Sequence, residues 1–165
     1  MSDKLKIALA VVLFVTALAA PFGVWFFVTK ESGLAWGIAA AAATFVLFFL
    51  LSVILLFRVK DYSWASASLP YVFGSLYTLL PDAILGSIDD SAMMGLGSVF
   101  TTALALRRNP RTPKWIFLLL FGSAAYAFFG GALPGPLDEA IVTGLSYLVY
   151  IYSSNKADQE HAASA

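Results

Sequence analysis

Apolar runs follow one another along this chain, separated by short polar joints. Six stand out: Ile7–Val28, Leu34–Phe57, Trp64–Leu80, Ile88–Leu106, Trp115–Leu133 and Leu137–Tyr152. A helix needs about 20 apolar residues to cross a bilayer core. The first two runs meet that length in full, and the third, fourth and sixth are shorter or interrupted. Short joints suit antiparallel neighbours. The expected fold is all-α, a polytopic membrane protein with about six transmembrane helices. A leading helix pair fills 1–60, a first hairpin repeat 61–110 and a second 111–152. A disordered cytoplasmic tail follows at 153–165.

Composition points the same way. Of 165 residues, 60% are hydrophobic and 12% charged, and the mean hydropathy is +0.83. A soluble domain carries about 25% charged residues. The net charge is zero, so no global attraction to nucleic acid is expected. There is no cysteine, which removes disulfides, thiolate metal sites and cysteine nucleophiles. The single histidine, His161, sits in the polar tail, which rules out histidine metal motifs and a Ser-His-Asp triad.

Charge placement gives the expected orientation. Six crossings put Lys4, Lys6, Arg58, Lys60, Arg107, Arg108, Arg111, Lys114 and Lys156 on the side of the N-terminus, leaving only Lys30 on the other. Basic residues in short loops stay cytoplasmic, so both termini are read as cytoplasmic at an inner (plasma) membrane. The outer side receives Glu31, Asp82, Asp89, Asp90, Asp138 and Glu139. Trp25, Trp36, Trp64 and Trp115 all fall at segment ends, where aromatic belts form. The start, MSDKLKIALAVVLFVTALAAP, also has the layout of a cleaved signal peptide. Pro21 and the continuing apolar FGVWFFV favour an uncleaved helix, kinked at Pro21.

The acidic side contains a repeat. LLPDAILGSIDDSAMMGLGSV (79–99) and ALPGPLDEAIVTGLSYL (132–148) share Leu-Pro, a glycine, and an acid pair followed by Gly-Leu. Asp89, Asp90, Gly95 and Leu96 match Asp138, Glu139, Gly144 and Leu145 at a constant offset of 49. The two hairpin tips point to the same side, so the repeat is parallel rather than inverted.

LLPDAILGSIDD resembles the signature of the YkvA-like bacterial domain of unknown function, through Pro81, Asp82, Gly86, Ile88, Asp89 and Asp90. The turn is shorter than in that family, and the acid before the Pro-Asp step is absent. The second copy is more degenerate, with Gly135 in place of the aspartate. The resemblance implies a helical hairpin and no particular chemistry.

The acid pairs have two readings. An Asp at a helix start accepts hydrogen bonds from orphan N–H groups and meets the positive end of the helix dipole. On this reading Asp89 or Asp90 caps one helix and Asp138 another. The other reading starts from depth. The last apolar segment rises only ~24 Å as a helix, so its acids fall short of the outer interface. Carboxylates at that depth are costly unless paired, protonated or bound to a cation. Asp82, Asp89, Asp90, Asp138 and Glu139 then form a candidate metal or proton site. Oxygen-only ligands suit Mg2+, Ca2+ or Mn2+, and crowded carboxylates raise one another's pKa and so suit protons.

Polar and small residues continue below these acids. Glu139, Thr143, Ser146 and Tyr150 share one helix face, as do Asp90, Met94, Gly97 and Thr101. Beside them run Ser91, Gly95, Ser98 and Thr102. This spacing suits a helix–helix seam, with the fourth and sixth segments facing each other, or a polar path leading from the acids. The loop RRNPRTPK (107–114) is basic enough to fix orientation, and contact with anionic headgroups is its second reading.

No nucleotide-binding loop and no nucleophile elbow occurs. The expected function is a small inner-membrane protein of unknown substrate that binds a cation or proton, in transport or sensing. The alternative is a structural or assembly protein whose acids only begin helices. A carboxylate-metal membrane enzyme has no motif behind it. No cofactor beyond a divalent cation is implied. The expected partners are the lipid bilayer and either a second copy of the chain or another membrane protein.

Overall fold

The computed structural model describes residues 1–61, 63–78, 87–129 and 137–163, with backbone alone at 87–89, 137–139, 161 and 163. Among the described residues there are seven helices and no strand. They are α1 (Asp3–Ser32), α2 (Leu34–Phe57), α3 (Trp64–Ala67), α4 (Leu69–Thr78), α5 (Ser87–Arg108), α6 (Trp115–Phe129) and α7 (Leu137–Ala163). The chain divides into two units, Met1–Asp61 and Tyr62–Ala165.

The first unit is an antiparallel hairpin of α1 and α2. Both helices are long and apolar enough to cross a membrane. Gly33 alone separates them, at φ 91°, a left-handed value that favours glycine. The helices approach closely beyond this turn, because a side chain at Gly37 would collide with Thr29. Further along, Phe14 meets Phe49 edge-to-face at 5.4 Å between ring centres, and Phe49 stacks on Phe45 at 5.8 Å. The open end of the hairpin is clasped by Asp3. Its carboxylate pairs with Lys6 at 2.6 Å and accepts the N–H groups of Lys60 and Asp61 at 3.0 and 3.1 Å. Lys6 also donates to the Arg58 carbonyl at 2.9 Å. These contacts hold Asp3 down at about 2, the Lys6 hydrogen bond acting most strongly and the Asp61 and Lys60 amides next. Pro21 lies inside α1, where it removes one backbone donor.

The second unit is a bundle in which α4 packs on α5, α5 on α6, and α6 on α7, while α3 bridges α5 and α7. Its core gathers Tyr71, Met94, Ala105, Ile116, Leu120 and Tyr150 from all four longer helices. α6 is apolar but shorter than a membrane span. Large apolar side chains, among them Leu96, Val99, Leu118, Phe121, Leu145 and Leu148, remain exposed on the outer faces of α5, α6 and α7.

Three expectations change here. The segment Trp64–Leu80 is not one helix, because the chain turns at Ser68 between α3 and α4. Pro70 lacks an N–H and would clash with a preceding carbonyl in a continuous helix, whereas the first turn of α4 tolerates it. The tail expected to be disordered from residue 153 is helical to Ala163. Its Ala, Lys, Gln and Glu residues are strong helix formers, Lys156 and Glu160 pair at one-turn spacing, and Asp158 is tied to Arg108. The third change concerns the seam: α5 takes its close neighbours from α4 and α6 rather than α7. Its glycine-containing face meets α4, where a Cβ at Gly97 would lie 2.6 Å from the Pro70 carbonyl and one at Gly74 would lie 2.7 Å from that of Met93.

Candidate functional site

Four of the five acids singled out from the sequence fall at helix starts. Asp89 and Asp90 belong to the first turn of α5, and Asp138 and Glu139 to the first turn of α7. Because the helices begin at Ser87 and Leu137, these acids lie inside the first turn rather than ahead of it. An acid there interacts favourably with the helix dipole. Asp90 is buried, 7% exposed, and engages neighbouring groups. Asp82 lies outside the described residues, as do the side chains of Asp89, Asp138 and Glu139. Among the described residues no group of three or more acidic or histidine side chains could hold a metal ion.

Below Asp90 the face predicted on α5 is buried throughout. Met94 and Thr101 are fully enclosed, and Gly97 is buried against α4. Thr101 on this face and Ser98 beside it each reach a partner across the bundle, whereas the buried Thr102 hydroxyl has none among the described residues. Thr101 accepts the Tyr71 N–H at 3.0 Å. Ser98 donates to the Met94 carbonyl in its own helix and to the Leu120 carbonyl of α6, at 2.8 and 3.0 Å. On α7, Ser146 and Tyr150 are buried and Thr143 is half-buried.

A chain of tyrosines and serines lies at the centre, of which sequence reasoning singled out Thr143 and Tyr150 but not Ser68, Tyr71, Ser123 or Tyr147. The Tyr71 hydroxyl lies 2.8 Å from that of Ser123 and 3.4 Å from the Thr143 carbonyl, which it reaches as donor. Tyr71 stacks on Tyr147, and Tyr147 on Tyr150, each at 6.3 Å between ring centres. The Tyr147 hydroxyl lies 3.1 Å from that of Ser68, and Tyr150 donates to the Trp64 carbonyl at 3.3 Å. Side chains from α7 thus reach the α3–α4 turn at the Ser68 hydroxyl and the Trp64 carbonyl. The sequence signal was present, since Tyr, Ser and Thr inside apolar segments need partners when buried.

A groove of about 190 Å³ opens between α4 and α7, lined by Tyr71, Ser75, Thr78, Thr143, Gly144 and Tyr147. Ser75 and Thr78 donate back to carbonyls of their own helix, those of Tyr71 and Ser75, each at 2.8 Å. Their oxygens keep acceptor capacity, because a hydroxyl has two lone pairs. Val72, Leu76 and Ala140 also line it, so the groove is mostly apolar, with a few hydroxyl oxygens below the first turn of α7.

The chain matches no family model, no curated protein and no solved structure.

Proposed function

We propose that this chain is a small inner-membrane protein with six crossings and both termini in the cytoplasm. On its outer side it binds a cation or a proton, in transport or sensing, through Asp82, Asp89, Asp90, Asp138 and Glu139. The observation that carries the reading is the burial of Asp90 at the start of α5. A carboxylate withdrawn from water is retained at a cost and responds strongly to nearby positive charge. The exposed apolar faces of α1, α2, α5, α6 and α7 favour a lipid surround, since a soluble surface does not present them so continuously. The YkvA-like resemblance falls on the same acidic stretch and supports a hairpin there.

The second reading is a structural or assembly protein that binds no ligand. It is favoured by the first-turn position of the acids on α5 and α7, where the helix dipole alone accounts for them.

Thermal stability in nanodiscs separates the two. Wild type and an Asp89→Asn/Asp138→Asn variant are titrated with Mg2+, Ca2+ and Mn2+ and across pH. Saturable stabilisation in wild type alone establishes the cation or proton site. Identical flat responses to the cations leave the acids as first-turn residues whose charge meets the helix dipole.

A further inference from the structure

A second polar site lies at the other end of α5 and α7. After α5 the chain turns through Asn109–Lys114 into α6, and α7 passes alongside. Asp158 of α7 pairs with Arg108 and accepts from the Asn109 amide at 3.3 Å. Asn109 is buried, and its side-chain carbonyl accepts the Arg111 N–H at 3.0 Å. Thr112 closes the turn, its hydroxyl donating to the Asn109 carbonyl at 2.8 Å. The loop is therefore anchored on α7 through one asparagine, which also fixes the backbone position of Arg111.

Between loop and helix lies a cavity of about 380 Å³, lined chiefly by Arg111, Trp115, Tyr152, Ser153, Lys156 and Glu160. This volume is in the range of small-molecule sites, roughly 300–1,000 Å³. Its walls carry two cations and one acid. Lys156 and Glu160 are both exposed and only 3.9 Å apart at closest, a loose pair that leaves the ammonium free to turn inward. Ser153 is buried, and Trp115 and Tyr152 form an exposed aromatic rim. A guanidinium matches two phosphate oxygens at once, and an ammonium and a hydroxyl can complete the shell. Glu160 reduces the net positive charge of the walls to about one, which favours an anion of low charge over a polyphosphate. Trp and Tyr beside basic residues are the composition found at headgroup level.

We propose that this cavity binds a phosphate group, held by Arg111 and Lys156 with Ser153 as a further donor. The aromatic rim points to the phosphodiester of an anionic phospholipid as its source. That source rests on the six-crossing reading, whereas a free-phosphate site would not.

The test uses full-length wild type, Arg111→Gln/Lys156→Gln and Glu160→Gln. Melting temperature and native mass spectrometry are read in nanodiscs of phosphatidylcholine alone and of phosphatidylcholine with phosphatidylglycerol. Inorganic phosphate is titrated separately in detergent. Wild type should be stabilised by phosphatidylglycerol and retain it as a bound lipid. The double variant should bind it about tenfold more weakly, with an unchanged melting temperature in phosphatidylcholine, while Glu160→Gln should bind it more tightly. Saturable stabilisation by inorganic phosphate, lost in the double variant and without preference for phosphatidylglycerol, would keep the site and overturn the headgroup as its source. Equal behaviour of wild type and double variant toward both ligands would overturn the proposal. None of these outcomes depends on the cation titration of the acidic end.

Discussion

The Tyr71 and Ser123 hydroxyls lie 2.8 Å apart, joining α4 to α6 inside a core that is otherwise mostly apolar. Tyr71 is 1% exposed and Ser123 3%, so neither can turn to water if the other is removed. The contact is therefore structural, and it ties α4 to α6 at the same hydroxyl that reaches the Thr143 carbonyl of α7.

Replacing Tyr71 with Phe should destabilise the protein by about 1 kcal/mol, the usual net worth of one hydrogen bond, with little change in packing. Ser123→Ala should cost a similar amount. The double substitution should cost less than the sum, because either single change already removes the one hydrogen bond that the two hydroxyls share. Melting of the four proteins in one detergent gives the cycle, and strict additivity would mean that the two hydroxyls do not interact.

The close passage of α4 over α5 should be sensitive to a single methyl. A Cβ at Gly97 would lie 2.6 Å from the Pro70 carbonyl, while one at Gly95 would meet nothing within 4 Å. Gly97→Ala should therefore lose about 1–3 kcal/mol through overpacking. Gly95→Ala should be neutral or slightly stabilising, since alanine is the better helix former. Reversal of that order in a stability assay would misplace the seam.

Acid should open the clasp on the first hairpin. Asp3 is held at about 2 in the folded chain, below its ordinary value of 3.8. Its stabilising effect is therefore complete above the ordinary value and is lost as pH falls through about 2. Hydrogen exchange at the Lys60 and Asp61 amides, corrected for intrinsic pH dependence, should lose protection over that window. In Asp3→Ala those amides should be unprotected at every pH, and unchanged protection would show that the carboxylate does not hold them.

The far end of α7 should fray without Asp158. Asp158→Ala removes the partner of both Arg108 and Asn109. Trypsin cleavage after Lys156 should then accelerate on the order of tenfold, the loss of one partly buried, hydrogen-bonded ion pair. Glu160→Ala, which breaks only an exposed pair, should alter cleavage much less.

The hydrophobic pattern carried much of this fold. It set α2 at Leu34–Phe57, the same bounds the structure has, and located α5 to within two residues at either end. What it misplaced has identifiable causes. Apolar residues flank Ser68 on both sides, so periodicity runs through the α3–α4 turn, and only Pro70 marked it. The polar residues after Tyr152 carry no apolar stripe, and the helix there depends on Arg108, which lies 50 residues earlier in the chain. Neighbour choice was not legible either. α5 bears small residues on more than one face, and the sequence alone does not say that Gly97 meets Pro70 while Gly95 meets open space. For the candidate site, the positions of the acids at the starts of α5 and α7 followed from spacing. The tyrosine ladder did not, because its members come from α4 and α7, 76 residues apart at Tyr71 and Tyr147.

Gly33 has a bearing on how the first unit is made. With a single residue between α1 and α2, there is no hydrophilic loop for a translocation machinery to thread across a bilayer. Lys30 and Glu31 are the only charges between Lys6 and Arg58. Two helices each long and apolar enough to cross a membrane are thus joined with their charge confined to two neighbouring side chains of opposite sign.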